Sequence, residues 1–420
     1  MNPTTEQVRA LYESYPYPPL EQALGFPVLA ALDYVRCVLW PRRPSLQGIR
    51  VLDAGCGTGH VAVEIAQRYP EVEVVGLDLS APALDVARRR AERAGVRGNL
   101  SFHQGALEDL SSLAIAAQPF DYIVSSGVLH HLSDPSAGTR ALAAHLSPTG
   151  AIGLMVYAPH GRHGVYVLQE LLRRMAGDRP LSEQVVIARQ VLSTLPENHP
   201  FRAKEFADQD WQGDAGLVDL LLHVQDRSFT VPELRGLLGS ADLKVARFFL
   251  PYLYRPESYF SAGKTTETTN HSSDEDPAAI AELLAGTMRM HVALACHNTF
   301  QPQAVSAGTV GAFAGRPLRS PLLRWEERRA LKQSRGKGQG HILSITVSER
   351  TYTGSARDLS LEGEPALLLE RSDGTRTSEE IFADPTLHAA LVGHSEEDKR
   401  KRFNALLSFM LQQDFLYLMG

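Results

Sequence analysis

The chain has 420 residues, of which 44% are hydrophobic and 21% are charged, with 33 glycines and 25 prolines. This balance is typical of a soluble globular protein, and it excludes a coiled coil, a collagen-like chain and wholesale disorder. The 42 Lys and Arg against 48 Asp and Glu residues give a net charge of −6, which argues against a nucleic-acid-binding protein.

At roughly 150 residues per domain, the length allows two or three domains. The three cysteines (Cys37, Cys56 and Cys296) are too few for a disulfide framework and too widely spaced for a zinc knuckle. No apolar stretch of about 18 residues is present, and the start carries Glu6 and Arg9 instead of an apolar signal core. We therefore expect a cytoplasmic protein with no membrane span and no bound metal.

Residues 49–158 alternate apolar, β-rich runs with longer amphipathic segments, a pattern that predicts βαβ units and a mainly parallel sheet. The predicted strands are 49–52, 72–77, 100–103, 122–125 and 152–157, and the predicted helices are 60–69, 82–94 and 137–146. Ser80, just before Pro82, is the expected N-cap of the second of these helices. The fold class is thus α/β, with a Rossmann-like sheet.

The regular alternation stops after Tyr157, and the composition predicts a helical insertion at about 164–224. A helix at 231–240, a strand at 243–250, a helix at 278–284 and an edge strand at 288–296 then complete the domain. We expect four parts: an N-terminal helical lid or substrate segment (1–48), the catalytic domain (49–298), a linker (299–340) with a short helix at 323–331, and a small C-terminal α+β module (341–420). The module begins with a strand at 342–352 and ends with an amphipathic segment at 399–412.

The strongest motif is VLDAGCGTG (51–59), between a predicted strand and a predicted helix. Three glycines allow a sharp turn and a close approach of a ligand to the backbone, at the carboxyl edge where such sheets bind ligands. A dinucleotide site would require glycine at His60, and a phosphate loop would require Gly-Lys-Ser/Thr, which is absent. Asp53 adds negative charge to the turn, so it suits a cationic ligand better than a pyrophosphate.

Three further strand ends carry candidate ligand contacts. Asp78, nineteen positions after Gly59, ends the second strand and can accept hydrogen bonds from both hydroxyls of a ribose. The third strand ends in QGALE (104–108) and the fourth in SSGVLHHL (125–132). Four successive strand ends therefore predict a nucleoside site.

Taken together, residues 49–158 resemble a class I S-adenosylmethionine-dependent methyltransferase. The resemblance implies that S-adenosylmethionine is the cofactor and that the following residues contact it: Asp53, Gly55, Cys56, Gly57, Asp78, Leu79, Ala106, Leu107, Ser126 and Gly127. Many relatives carry Asp where Ala106 stands, so the adenine amino group would here need the backbone or Glu108. The segments 15–19, 161–166 and 226–230 also resemble a bacterial subgroup of these enzymes.

Methyl transfer requires an aligned nucleophile and, where its pKa demands it, a base. His130 and His131 are the candidate catalytic bases, with packing or a backbone contact as the alternative role for either one. The expected substrate-binding set comprises aromatic and basic side chains from the N-terminal segment and the insertion: Tyr12, Tyr15, Tyr17, Arg162, Tyr166 and Trp211. The acidic run around Trp211 can attract an ammonium or guanidinium group, or it can be a solvated helix face.

Several nucleophile-specific motifs are absent after the fourth strand. It carries no Asn/Asp-Pro-Pro-aromatic motif for planar amines, no cysteine for pyrimidine carbon, and no glutamate pair of the kind found in arginine methyltransferases. Oxygen and simple amine nucleophiles remain, with activated carbon as a further alternative.

The C-terminal stretch 366–381, followed by 406–418, resembles the small winged-helix domains of the PqqD-like type. That resemblance implies a module that holds a peptide by main-chain pairing along a strand edge. A dimerisation module, which would make the protein a homodimer, or a packing module is an equal alternative.

The sequence therefore predicts a methyltransferase that methylates an oxygen or nitrogen of a small metabolite. Two alternatives stay open. One is a peptide or protein methyltransferase whose C-terminal module holds the substrate, and the other is a catalytically silent regulator that binds S-adenosylmethionine.

Overall fold

The structure is a computed structural model, and it describes residues 3–20, 28–40, 43, 45–203, 213–259, 276–302, 316–319, 324–329, 343–348, 358–393, 395–412 and 416–419. In this part of the chain, no helix combines the length and apolarity needed to cross a bilayer.

The centre of the fold is a seven-stranded sheet within the described residues, in the order β3-β2-β1-β4-β5-β7-β6. Its strands are β1 (Arg50–Ala54), β2 (Glu73–Asp78), β3 (Leu100–Gln104), β4 (Phe120–Ser126), β5 (Leu146–Tyr157), β6 (Leu243–Phe248) and β7 (Met290–His297). The pairs from β3 to β5 are parallel, whereas β7 is antiparallel to both β5 and β6. This confirms the α/β, Rossmann-like fold class.

The prediction that the last strand lies at an edge is wrong. β7 lies between β5 and β6, and six of its eight residues are buried. Its continuous apolar run is that of a strand covered on both faces, which a local pattern does not distinguish from a short edge strand.

Helices cover the sheet and form the insertion. They are α1 (Pro3–Ser14), α2 (Leu32–Leu39), α3 (His60–Arg68), α4 (Ala81–Arg93), α5 (Pro135–Ala144), α6 (Pro159–Ala176), α7 (Leu181–Thr194), α8 (Pro200–Ala203), α9 (Asp214–Leu221), α10 (Val231–Gly239) and α11 (Pro277–Ala285). The expected cap is confirmed, since Ser80 Oγ accepts a 3.2 Å hydrogen bond from the Ala83 amide.

The helical insertion after β5 has a hydrophobic core of its own. Buried side chains of α6, α7 and α9 form this second core together with Leu11 of α1. Tyr12 and Tyr15 pack at its margin, partly buried. The N-terminal helix is thereby fixed to the insertion, although more than 140 residues separate them along the chain.

The C-terminal part contains β8 (Arg316–Arg319), β9 (Arg324–Arg329), β10 (Leu343–Ser348), β11 (Asp358–Glu362), α12 (Glu364–Arg371), α13 (Ser378–Phe382), α14 (Pro385–Ala390), α15 (Glu396–Gln412) and β12 (Leu416–Met419). A three-stranded antiparallel sheet has the order β11-β10-β9, and β12 pairs with β8. The helix predicted at 323–331 is wrong in its described part, because β9 forms there by pairing with β10. The PqqD-like resemblance of this module is not confirmed.

The C-terminal module packs on the sheet domain. Leu416 of β12 is 1% exposed and belongs to the same hydrophobic core as Leu32 and Val35 of α2. Arg247 of β6 also donates a 3.4 Å hydrogen bond to the Leu411 carbonyl.

Candidate functional site

The turn after β1 is built by glycines in the left-handed region. Gly55 has φ +76° and Gly57 has φ +51°, which side-chain-bearing residues rarely adopt. A Cβ on Gly55 would lie 2.5 Å from a methyl group of Val128, and one on Gly57 would lie 3.0 Å from the Tyr17 carbonyl oxygen. The turn therefore packs closely between the end of β4 and the N-terminal segment.

Asp53 lies beneath this turn and is 2% exposed. Its Oδ2 accepts a 3.0 Å hydrogen bond from the amide of Ala62, in the first turn of α3. Burial raises the pKa of Asp53 to about 7, against the opposing effect of that hydrogen bond. The side chain thus ties the turn to the helix and offers negative charge beneath the ligand-binding surface.

Asp78, at the end of β2, is held in a fixed orientation by backbone amides. Its Oδ2 accepts from Gly57 at 2.7 Å and its Oδ1 from Ser80 at 2.9 Å. Burial raises the pKa of Asp78, and these backbone hydrogen bonds oppose the rise. An ionised carboxylate has about four acceptor sites, so two remain for a ligand diol.

A cavity of about 330 Å³ lies over these strand ends. Nine of the ten expected cofactor contacts line it: Asp53, Gly55, Cys56, Gly57, Asp78, Leu79, Leu107, Ser126 and Gly127. The tenth, Ala106, is buried between the lining residues Gly105 and Leu107. Glu108 also lines the cavity, at the end where the adenine is expected.

The N-terminal segment forms one wall of this cavity. Tyr12, Tyr17 and Pro18 line it, whereas Tyr15 packs at the second core and does not line the cavity. Three hydrogen bonds fix the wall to the glycine turn and to α4. Thr58 Oγ1 donates to the Pro18 carbonyl at 2.7 Å, Ser80 Oγ to the Tyr12 carbonyl at 3.2 Å, and Arg90 Nη2 to the Pro19 carbonyl at 3.2 Å.

His131 lies on a short 3₁₀ turn after β4 and lines the cavity. Its Nδ1 is 2.7 Å from the Gln225 carbonyl oxygen. A carbonyl only accepts, so Nδ1 carries the proton, and in the neutral ring the lone pair lies on Nε2. His131 also stacks on His223, with ring centroids 3.7 Å apart.

His130 is placed differently from its neighbour. It is fully buried and does not line the cavity, and its ring stacks on Tyr157 at 3.9 Å. Neither ring nitrogen has a hydrogen-bond partner among the described residues. Burial, with smaller effects of His131, Arg162 and His223, holds the pKa of His130 well below its ordinary value, so the ring is neutral.

Arg162 and Tyr166 of α6 lie behind the cavity wall and do not line it. Arg162 is 1% exposed, and its guanidinium carbon lies 3.4 Å from the ring centroid of Tyr157. Its Nη2 is 3.4 Å from Asp226 Oδ2, and its Nε donates to Tyr166 Oη at 3.3 Å. Tyr157 itself lines the cavity, so the ion pair supports a ring that faces the ligand.

Asp219 of α9, which belongs to the acidic run around Trp211 in the sequence, lines the cavity. Its Oδ1 accepts a 2.8 Å hydrogen bond from Tyr12 Oη. The available signal was an acid within the apolar run 217–222 of an otherwise apolar helix. Trp211 of the expected substrate-binding set lies outside the described residues.

Several apolar or small cavity residues were missed, among them Val8, Val61, Leu132 and Met155. In the described residues, no group of three or more His, Cys, Asp or Glu side chains could hold a metal ion.

Comparisons with known proteins indicate a methyltransferase domain in the part of the chain that forms this cavity. Residues 45–195 match a family model described as a methyltransferase domain. An uncharacterised protein of Synechococcus sp. is 34% identical over 273 residues, which cover 62% of this chain and 64% of the relative. The tRNA 5-carboxymethoxyuridine methyltransferase of Escherichia coli K12 is 38% identical over 130 residues, covering 31% of this chain and 46% of the relative.

The chain thus spans less than two thirds of the length of these curated relatives. Among solved structures, PKMT2 from Rickettsia typhi matches with a TM-score of 0.66 at 15% identity. That match covers 96% of this chain and 78% of the other. At this identity the match shows a shared fold.

Proposed function

We propose that the protein is a class I methyltransferase that uses S-adenosylmethionine and methylates an oxygen or nitrogen of a small metabolite. The match of residues 45–195 to a methyltransferase domain supports this proposal. One observation carries the proposal. The cavity that contains the glycine turn and Asp78 also exposes the ring of His131, a base with a defined tautomer.

The residues present fit the cofactor. Asp78 keeps two acceptor sites for the ribose hydroxyls, the glycine turn leaves room for the methionine part, and Leu107 and Glu108 lie where the adenine is expected. The cofactor supplies a methyl group on a positively charged sulfur, which becomes a neutral thioether in S-adenosylhomocysteine. Asp53 and Tyr157 are both buried and line the cavity, and a site with little water favours a reaction in which that charge is lost.

His131 is the proposed general base. The Gln225 carbonyl fixes the proton on Nδ1, so Nε2 is the atom that accepts a proton from the acceptor group. Removal of that proton leaves a lone pair on the acceptor oxygen or nitrogen for attack on the methyl carbon. His130 is proposed to orient Tyr157 and not to move a proton, since it does not line the cavity.

The walls favour a small acceptor over a peptide held by the C-terminal module. No described residue beyond Asp219 lines the cavity, so the described part of the C-terminal module makes no direct contact with it. The presence of His131 at the cavity also favours an enzyme over a regulator, because a protein that only binds S-adenosylmethionine needs no base at this position.

Methyl transfer from S-adenosylmethionine with a tritiated methyl group tests the proposal. The acceptor panel comprises small phenols, alcohols, carboxylates and amines, with mixed peptides as a separate arm. We expect label in at least one small acceptor, at a rate that falls in His131→Gln. Label in the peptide arm alone would favour the peptide enzyme, and cofactor binding without any transfer would favour the regulator.

A further inference from the structure

A buried carboxylate at the cavity forms no ion pair with any described residue. Asp219 is 7% exposed and lines the cavity from α9. Its Oδ1 accepts from the Tyr12 hydroxyl, and its Oδ2 accepts no hydrogen bond from any described residue. Burial raises the pKa of Asp219, and the neighbouring His131 ring, the Tyr12 hydroxyl and Arg162 oppose the rise. A buried carboxylate costs free energy unless a positive group lies beside it.

The cations near Asp219 are engaged elsewhere. Arg162 forms an ion pair with Asp226 and stacks on Tyr157, so its charge is already balanced. Arg9, which also lines the cavity, forms ion pairs with Glu6 and Glu13. Burial lowers the pKa values of His130 and His223 well below the ordinary range, so both rings are neutral. Arg162 is therefore committed to Asp226, and Asp219 is left with a hydrogen bond from Tyr12 and no ion pair among the described residues.

Aromatic rings share the cavity with this carboxylate. Tyr12, Tyr17 and Tyr157 all line it, and His131 lies beside Tyr157 with ring centroids 5.8 Å apart. The faces of aromatic rings attract cations, and the attraction grows when water is excluded. The faces of Tyr157 are covered by His130 and Arg162, so this attraction is assigned to Tyr12. A carboxylate among tyrosines suits an ammonium group, whereas an anionic acceptor would be repelled by Asp219.

We propose that the acceptor enters as an ammonium ion and that the protein is an amine N-methyltransferase, with Asp219 and Tyr12 forming the ammonium site. This inference rests on the proposed function and narrows its acceptor class. It assigns to Asp219 the binding of the acceptor and leaves the cofactor to Asp53 and Asp78.

The transfer balances in atoms and charge. The ammonium group loses one proton to Nε2 of His131, which leaves a lone pair on nitrogen. That pair forms the C–N bond while the C–S bond of the cofactor breaks and its electron pair stays on sulfur. The products are a methylated ammonium ion, S-adenosylhomocysteine and a protonated His131.

Binding to the complex with S-adenosylhomocysteine tests the ammonium site without any turnover. The probes are phenethylamine, its neutral counterpart 2-phenylethanol, and tetramethylammonium, which carries charge and cannot be methylated. Calorimetry of the full chain, saturated with S-adenosylhomocysteine, measures each affinity. We expect phenethylamine to bind at least tenfold more tightly than 2-phenylethanol, and tetramethylammonium to compete with it.

Asp219→Asn is the matched variant, and Asp214→Asn is its control on the exposed start of the same helix. The first should abolish the preference for amine over alcohol while S-adenosylhomocysteine affinity changes less than threefold, and the second should alter neither. Equal binding of amine and alcohol to the wild-type complex, or no binding of any cation, overturns the inference. So does a tenfold loss of S-adenosylhomocysteine affinity in Asp219→Asn, since the carboxylate would then serve the cofactor.

Different results would overturn the proposed function and the ammonium site. A protein that methylates only alcohols or phenols keeps the proposed function and loses the ammonium site. Loss of S-adenosylhomocysteine binding in the wild-type protein would remove both.

Discussion

The carboxylate of Asp78 accepts a 2.7 Å hydrogen bond from the amide of Gly57 and so ties the end of β2 to the turn that follows β1. The two strands are parallel neighbours, and Gly57 and Asp78 lie at the same edge of the sheet. One side chain therefore both shapes the glycine turn and faces the cavity. Its loss should affect the ligand more than the fold, because the sheet registers do not depend on it.

Asp78→Ala should weaken binding of S-adenosylhomocysteine by about 1.5–3 kcal/mol, the usual effect of losing hydrogen bonds to a charged group. Calorimetry measures the affinity, and circular dichroism should show an unchanged fold. Asp85→Ala is the control, since Asp85 lies on the exposed face of α4 and pairs with Arg88. An unchanged affinity in Asp78→Ala would move the ribose contact elsewhere.

His131→Gln should lower kcat by roughly 10²–10⁴ with cofactor affinity nearly unchanged, because glutamine keeps a hydrogen-bonding group but does not accept a proton. His130→Gln should change kcat by less than about tenfold, since its ring does not line the cavity. Single-turnover rates across a pH range distinguish the two. The loss of rate should be the larger in His131→Gln at every pH.

His163→Gln, on the exposed face of α6, is the matched control for both histidine variants. A larger loss of kcat in His130→Gln than in His131→Gln would contradict the proposal and assign the role of base to His130. Mild effects in both variants would leave alignment of the acceptor as the source of rate.

Asp53→Asn should make the stability of the cofactor-free protein less dependent on pH. The pKa of Asp53 is about 7 in the folded protein, compared with about 4 in an unfolded chain. Between these values the folded protein binds more protons than the unfolded chain, so the free energy of unfolding falls as pH rises. The variant lacks this fall.

Urea unfolding at several pH values measures the effect. Relative to wild type, Asp53→Asn should gain stability as pH rises from about 4 to about 7 and then level off. Asp78 and Asp219 also have raised pKa values, but both remain in the variant, so the difference between the proteins reports Asp53. A constant difference across the range would contradict the buried, unpaired environment of this carboxyl.

Arg90→Ala should accelerate release of S-adenosylhomocysteine. Arg90 donates to the Thr58 carbonyl at 3.0 Å and to the Pro19 carbonyl at 3.2 Å, and these bonds hold the N-terminal wall against the glycine turn. Losing two bonds from a charged donor should raise the dissociation rate roughly five- to fiftyfold. Stopped-flow displacement measures it.

Arg89→Ala is the control, because Arg89 is exposed on the same helix. Equal dissociation rates in wild type, Arg90→Ala and Arg89→Ala would show that the cofactor leaves by a path that the N-terminal wall does not close.

The sequence predicted the glycine turn and the strand ends that line the cavity, because these depend on local features. The glycine turn and Asp78 each lie at the end of an apolar run, and strand ends of a parallel sheet meet at one edge. The order of β7 and β6 could not be predicted in the same way. Their pairing joins residues far apart in the chain, and neither sequence indicates which strand will lie beside it.

The acceptor side could be predicted only in part. Nothing in the sequence near Arg162, which follows a glycine at a helix start, indicates that its side chain is buried. It is buried because Asp226, 64 positions later, supplies its counter-charge. His130 and His131 are adjacent and indistinguishable by type, but the turn that carries them directs only one ring into the cavity. Such differences arise from packing between distant segments.

Leu416 of β12 shares a hydrophobic core with α2, which directly precedes the first strand of the sheet. Parts of a protein that bury their side chains in a common core lose that burial together when either one opens. Heating should therefore give a single calorimetric transition for the sheet and the C-terminal module, and not two separate ones. A substitution such as Leu416→Ala should lower the melting temperature of both parts equally, and saturating S-adenosylhomocysteine should raise it for both.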